Sequence, residues 1–275
     1  MTASRRPLDT RRLHAALDVV LTGGLLLRRE VGSTNTELRA LITDRPWGGP
    51  MLLSAEHQVA GRGRAGHEWQ TPSGAALTLS VAFRPERSRE SWGWLPLLTG
   101  LAVARAVEQV TGLTPVLKWP NDVLLPDPVP VAGWGAHRKG VGILNETVGD
   151  VVIAGVGINV DQSPAELPVP HAGSLRTAGA PGMDRTALAI AVVHEVLALA
   201  AGARDRAVED EVRARCVTLG TEIEADLPGG ERLTGRAVRI DEHAALAVAT
   251  DAGERTLTAG DLRHVRPRGE LGSGG

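Results

Sequence analysis

Lys118 and Lys139 are the only lysines among thirty basic residues, the rest being arginine. A lysine ammonium is a compact point charge that can enter a narrow pocket, whereas arginine presents a broad planar fork. Both lysines sit in segments that could hold anions. Lys118-Trp-Pro-Asn-Asp122 closes a short apolar run. Pro120 biases the preceding residue toward extended backbone, which would bring Asn121 and Asp122 out at the rim of a sheet. An amide beside a carboxylate suits a magnesium–phosphate complex, with Lys118 as the phosphate's counter-charge. A bare Asn-Asp pair is more often an Asx turn, so this segment alone decides nothing. Lys139-Gly-Val-Gly-Ile-Leu-Asn-Glu146 sets the second lysine at the mouth of a strand whose Gly140 and Gly142 leave the backbone open to a ligand. The plainer reading is a solvated surface lysine. Gly155-Val-Gly-Ile-Asn159 is another glycine-opened strand end, with Asn159 aimed at whatever the other segments surround.

Gly61-Arg-Gly-Arg-Ala-Gly66 matches the G-x-G-x-x-G pattern. A dinucleotide-binding reading requires a strand before it and a helix directly after it. The strand is expected, but His67-Glu-Trp-Gln-Thr-Pro-Ser-Gly74 leads into a second strand, so the reading fails. Closely spaced backbone N–H groups with Arg62 and Arg64 instead make an anion cradle. The single cysteine, Cys216, excludes an internal disulfide and a cysteine metal cage. It reads as a small buried helix residue.

The elements that must position these groups are legible in outline. Hydrophobic residues make up 43% of the 275 and the formal net charge is −2, a balance that points to neither nucleic acid nor an anionic membrane. Ala187–Ala201 is too short to span a bilayer, and the polar N-terminus lacks a signal-peptide core. The cytoplasm is the expected location. Helices are expected over Arg11–Leu21, from Ser33 or Thr34 to Thr43, over Leu97–Val110 with a stop at Gly112, from Asp184 to Ala201, and over Arg204–Cys216. Strands are expected at Leu25–Glu30, Met51–Glu56, Leu77–Phe83 (one face buried), Val116–Trp119, Val123–Leu125, Val141–Glu146 and Val151–Gly155. Pro126–Arg138 and residues 161–182 read as Pro/Gly-rich loops, the former mobile. This mixture predicts an α+β mixed sheet over residues 25–217, after a lead of 1–24. Five short strands with turn signals between them, from Glu222 to Val265, predict a small SH3-like β-barrel over 218–268. The tail, 269–275, is expected to be disordered.

The segments GSTN (32–35), AEHQVAGRGRAGHEW (55–69), KWPND, KGVGILNE and GVGINV occur in this order over Val31–Val160. In order and spacing they closely resemble the biotin–protein ligases. That resemblance implies a catalytic fold shared with lipoate ligases and related to class II aminoacyl-tRNA synthetases. It also implies ATP and magnesium as cofactors, biotin as substrate, biotinyl-5'-AMP as intermediate, and a carrier protein or domain of a biotin-dependent carboxylase as partner. By similarity, Ser33, Thr34, Asn35 and Gln58 meet the ureido end of biotin. Trp69 packs on its apolar body, and the backbone of Arg62, Gly63, Gly142 and Leu144 completes the pocket. Lys139 is the central cation between biotin's carboxylate and the α-phosphate. Arg64 and Lys118 hold phosphates, magnesium associates with Asn121 or Asp122, Asn159 touches the nucleotide, and Asp122 orients the acceptor amine. The Arg62–Trp69 loop closes over the intermediate. No DNA-binding role is expected, because only about thirty residues precede Val31 and no recognition helix is evident there.

The alternatives are a lipoate or octanoate ligase or transferase on the same scaffold, and a non-catalytic biotin sensor. One departure from the family pattern stands out. His67 occupies a position where the family usually has arginine, and an imidazole is a weaker partner for a triphosphate at neutral pH than a guanidinium. ATP binding is expected to tighten in a His67→Arg variant, measured by calorimetry at pH 7; unchanged affinity would remove His67 from the triphosphate contact.

Overall fold

The computed structural model describes residues 5–131, 134–227, 230–259 and 264–267. The expected disordered tail lies outside these residues. Capping chemistry sets most helix boundaries. Asp9 accepts a hydrogen bond from Arg12 N at the start of α1 (Thr10–Leu17), which is shorter than its apolar pattern suggested. Asp184 accepts from Thr186 N and Ala187 N to open α4 (Arg185–Val196), and Asp205 opens α5 (Arg206–Arg215). Between these two, Leu197–Ala201 forms a single π turn. Pro96 sits in the first turn of α3 (Leu95–Thr111), and Gly112 ends it in the left-handed conformation at φ 72°.

Seven strands form one mixed sheet: β1 (Gly24–Val31), β2 (Met51–Gln58), β3 (Ala76–Phe83), β4 (Val116–Lys118), β5 (Asp122–Val131), β6 (Gly135–Val148) and β7 (Val151–Asn159). Their order is β1-β2-β3-β7-β6-β5-β4. Only β1 and β2 pair in parallel; the other neighbours are antiparallel. The mixed α+β expectation is met.

Period-two alternation explains the two faces. Leu77, Leu79, Val81 and Phe83 of β3 join α3 and α4 in the main core, while Ala82 joins a smaller core under α2 (Thr34–Thr43) with Leu38, Leu53, Val151 and Ile153. All eight residues of β3 are therefore buried. The expectation of one buried face is corrected, because α2 covers the small side chains on the other.

Pro126–Val131 and Gly135–Arg138, expected in a loop, instead form the outer arms of the β5–β6 hairpin, β5 running to Val131 and β6 starting at Gly135. β4 pairs only with Asp122–Leu124, so Pro126, Pro128 and Pro130 have no neighbour on that side that needs their missing N–H.

Five further strands make an antiparallel sheet of the size and pattern of an SH3-like barrel: β8 (Glu222–Asp226), β9 (Arg232–Ile240), β10 (Leu246–Thr250), β11 (Gly253–Leu257) and β12 (His264–Pro267). Their order is β11-β10-β9-β8-β12. Two buried indoles tie it to the larger sheet's layer. Trp94 Nε1 donates to Glu242 O at 2.8 Å and Trp119 Nε1 to Ala244 O at 3.0 Å, both acceptors lying in the β9–β10 turn. Gly93 has no Cβ to strike His243 O, which an added Cβ would meet at 2.4 Å. Cys216 is buried as expected, just beyond the end of α5. Among the described residues no single helix is long and apolar enough to cross a membrane.

Trp119→Phe keeps the apolar bulk but strands the Ala244 carbonyl. An unsatisfied buried acceptor costs about 1–3 kcal/mol, so urea denaturation should show a loss of that size; an unchanged midpoint would mean that the indole does not hold the turn.

Candidate active site

On the α2 face of the sheet, side chains vanish where the helix stops covering it. Along β7, Val151 and Ile153 pack under α2, but the next two residues on that face are Gly155 and Gly157. Their partners across the ladder are Leu144 and Gly142 of β6. The result is a trough with an open backbone floor. Trp69 lies over it: a Cβ on Gly142 would come within 2.8 Å of the indole, and one on Gly157 within 2.6 Å. Trp69 Nε1 is buried there without an acceptor. The cleft has a volume of about 270 Å³.

One end of the trough is polar and uncharged. Gln58, at the end of β2, accepts at Oε1 from Thr34 N (2.8 Å) and Thr34 Oγ1 (3.1 Å). It thus takes over the capping of α2 expected of Ser33 or Thr34, and Ser33 makes no side-chain cap bond. Asn35 donates to Leu144 O at 3.0 Å and Glu146 Oε2 at 2.8 Å, while its Oδ1 accepts from Ser80 Oγ at 2.6 Å. Glu146 also receives Arg62 at 2.5 Å and Arg39 at 3.2 Å. One carboxylate therefore fixes the Asn35 amide and tethers the Gly61–Trp69 loop. Sequence reading gave Glu146 and Ser80 no role; both sit in strands, with nothing local to mark them.

The other end is cationic. Lys139 Nζ lies 2.7 Å from Asp122 Oδ1, and Lys118 Nζ lies 3.8 Å from Asp122 Oδ2. Lys118 is buried, and its ammonium stands 4.9 Å from the centre of the Trp134 ring. Burial pushes its pKa down, Asp122 opposes that, and repulsion from Lys139 adds to it. Arg64 donates to Asn121 Oδ1 at 3.2 Å and also to Ala259 O near the end of the second sheet's β11. Its guanidinium is pushed down by burial and partly restored by Asp122. Trp134 and His171 stack with ring centres 4.5 Å apart. Burial, and then Lys139 and Lys118, hold the His171 imidazole below its usual range, which favours its uncharged form. The 161–182 loop positions that ring by pairing with Lys139: Lys139 N donates to His171 O and Gly173 N to Lys139 O.

The cleft is lined by Ser33, Thr34, Asn35, Gln58, Arg62, Gly63, Arg64, His67, Trp69, Lys118, Asn121, Asp122, Lys139, Gly142 and Leu144. Asn159 is not among the lining residues. It is buried behind the site, bonding Gly173 O at 2.9 Å and Gln162 at 2.8 Å, and so braces the loop that flanks Lys139. Sequence reading missed Trp134 and His171, which lay in segments taken for plain loops. The residues do not fit a protein-held magnesium. Asn121 Oδ1 is engaged by Arg64 and Asp122 by two ammoniums, and among the described residues no group of three or more His, Cys, Asp or Glu could hold a metal.

A seven-stranded mixed sheet with a two-ended cleft, cationic at one end and neutral polar at the other, defines an acid-activating ligase scaffold. Residues 27–163 match the family model described as the biotin/lipoate A/B protein ligase family. The chain is 37% identical over 272 residues to a biotin–[acetyl-CoA-carboxylase] ligase of Mycobacterium tuberculosis, spanning 95% of this chain and 97% of that protein. The biotin protein ligase of Aquifex aeolicus, solved in complex with biotin and ATP, superposes with a TM-score of 0.70 at 25% identity, covering 89% of this chain and 99% of that one. A Leishmania major biotin protein ligase in complex with biotinyl-5-AMP gives a TM-score of 0.61 at 25% identity, covering 86% and 98%. The chain belongs to the biotin/lipoate A/B protein ligase family, and within it to the biotin–protein ligases.

The Glu146 network carries a pH signature. Burial alone would raise its carboxyl, but the Asn35 hydrogen bond and the Arg62 and Arg39 charges outweigh it and hold it below the ordinary 4.5. The stability this supplies is present above that value and lost as pH falls through the lowered one. Glu146→Gln should cost about 1.5–3 kcal/mol near neutrality, the range for hydrogen bonds to charged groups, with the difference from wild type shrinking as pH falls below 4.5. A pH-independent difference in urea unfolding would contradict the network's role.

Proposed function

We propose that this protein activates biotin with ATP to biotinyl-5'-AMP and transfers the biotinyl group to a lysine of a biotin carboxyl carrier protein. The observation that carries this reading is the cleft's two-ended chemistry. A ureido ring offers two N–H donors and one carbonyl, which the Ser33, Thr34, Asn35 and Gln58 end can match. The fused rings and alkyl chain need apolar walls, which Trp69 and the glycine floor supply. The carboxylate then emerges beside Lys139, Lys118 and Arg64.

In the first step a biotin carboxylate oxygen attacks the α-phosphorus and pyrophosphate leaves. Two anions must approach in line, so the residues' task is charge neutralisation and alignment. Lys139 stands between the reacting groups, and Lys118 and Arg64 hold phosphate oxygens with His67 at the loop. Trp134 and His171 offer a flat aromatic face at the nucleotide end. Magnesium would arrive as the counter-ion of ATP, held by phosphate oxygens. The loop tethered by Arg62 to Glu146 excludes water from the mixed anhydride. In the second step the acceptor amine attacks the carbonyl, with Asp122 orienting it, and AMP leaves. Asn159 serves indirectly, by bracing the loop beside Lys139. We read residues 25–217 as the catalytic unit and 218–268 as the small barrel, which reaches the site through the Ala259 contact with Arg64.

A lipoate or octanoate ligase is not favoured. Those acids carry no ureido group, and buried polar groups left unmatched strongly reject a ligand that lacks the partner. A pure sensor would have no use for two lysines converging on one carboxylate.

Exchange of labelled pyrophosphate into ATP should depend on biotin and not on lipoate or octanoate. Lys139→Ala should lower it about 10²–10³-fold, the usual cost of deleting one transition-state electrostatic contact. Exchange driven by another acid would move the assignment to the sister activity.

A further inference from the structure

The mixed anhydride proposed above is an acylating agent, and the cleft that would hold it also contains an amine of the enzyme itself. Lys139 is the more accessible of the chain's two lysines, its side chain 31% exposed against 8% for Lys118. Its backbone is held on one side by the 171–173 segment, through both its N–H and its carbonyl, and on the other by β5, which fixes the root of the side chain in the site. Uncontrolled, Lys139 would compete with the carrier lysine.

We propose that Asp122 is a positioning residue that holds Lys139 as an ion-paired ammonium and so prevents the enzyme from acylating its own lysine. The inference rests on the ligase reading for the identity of the acylating agent. To be acylated, Lys139 Nζ must first release a proton to water to expose its lone pair. Nζ then adds to the acyl carbonyl, a C–N bond forms, and the C–O bond to the AMP phosphate breaks. AMP leaves with that electron pair, and the second ammonium proton goes to solvent. The attack requires Lys139 to leave its ion pair with Asp122, 2.7 Å away.

The charges around Asp122 favour retention. The carboxylate serves two ammoniums, with Lys118 on its other oxygen at 3.8 Å, and the two lysines repel each other. Without the carboxylate, the Lys139 side chain would lose the partner that pins it at 2.7 Å and would be free to swing toward an acyl carbonyl in the cleft. The rest of the sequence points the same way. With no other lysine in 275 residues, adenylate that escapes the cleft meets no lysine on the enzyme's surface.

Chemically prepared biotinyl-5'-AMP, added to wild type, Asp122→Asn and Asp122→Asn/Lys139→Arg, bypasses the adenylation step. Intact-mass and peptide-mass spectrometry should show wild type unmodified, the single variant carrying one biotinyl group on the peptide with Lys139, and the double variant losing it. In parallel, N-hydroxysuccinimidyl acetate reports the reactivity of Lys139 without any biotin compound, and its acetylation should rise in Asp122→Asn. If acetylation rises but biotinyl-5'-AMP leaves the peptide unmodified, the ligase reading fails while the shielding by Asp122 stands. Acetylation of Lys139 at the same rate in wild type and Asp122→Asn would overturn the inference itself, as would biotinylation of Lys139 in wild type.

Discussion

Positive charge cannot be concentrated in a half-buried cleft without a counter-charge, and Asp122 supplies it here. Lys118 is buried, Lys139 half-buried and Arg64 desolvated enough that burial dominates its shift. All three feel the one carboxylate. Its position follows from the fold: β4 and β5 form a short antiparallel pair that sets Lys118 opposite Asp122, and β6 returns alongside to bring Lys139 to the same point. The flanking loop locks onto Lys139 by backbone pairing, and Arg64 bridges from the glycine-rich loop to the second sheet. Arriving phosphates and a carboxylate would find cations already gathered, with little reorganisation left for the reaction itself.

The neutral end of the cleft obeys a different constraint. Thr34, Asn35 and Gln58 on the trough's wall are aimed by other protein groups before a ligand arrives. Gln58 is held by Thr34, Asn35 by Glu146, Leu144 and Ser80, and Ser80 Oγ also lies 2.8 Å from Thr34 Oγ1. Such a chain stretches from an exposed loop arginine to the buried face of β3. It connects loop position to pocket geometry through one carboxylate, and it needs Gly155 bare, since an added Cβ would come within 2.4 Å of Asn35 Oδ1.

Much of this was legible in the sequence, for a physical reason. The strand ends and glycine-rich loop are contiguous runs whose unusual residues cluster, and their resemblance to a known family ordered them. The mixed sheet followed from apolar periodicity, and the helix stop at Gly112 from the chemistry of its cap. What escaped notice depends on contacts distant in sequence. Glu146 acquires meaning only when Asn35 and Arg62, each more than eighty residues away, fold onto it. Trp134 and His171 meet across two segments that looked like plain loops. The prolines of the β5–β6 hairpin disguised a strand, because their tolerance depends on how far β4 extends. Asn159, aimed toward the site by sequence position, turns behind it because Gly173 and Gln162 take its amide.

A crystal structure with biotinyl-5'-AMP bound would show directly whether the two ends of the cleft divide the ligand as its chemistry demands. The ureido ring should lie against Thr34 and Gln58, the alkyl chain along the Gly142–Gly157 floor beside Trp69, and the phosphate next to Lys139 and Arg64. An adenylate bound elsewhere, or lying in the cleft with its ureido ring at the Lys118–Asp122–Lys139 cluster, would contradict that division.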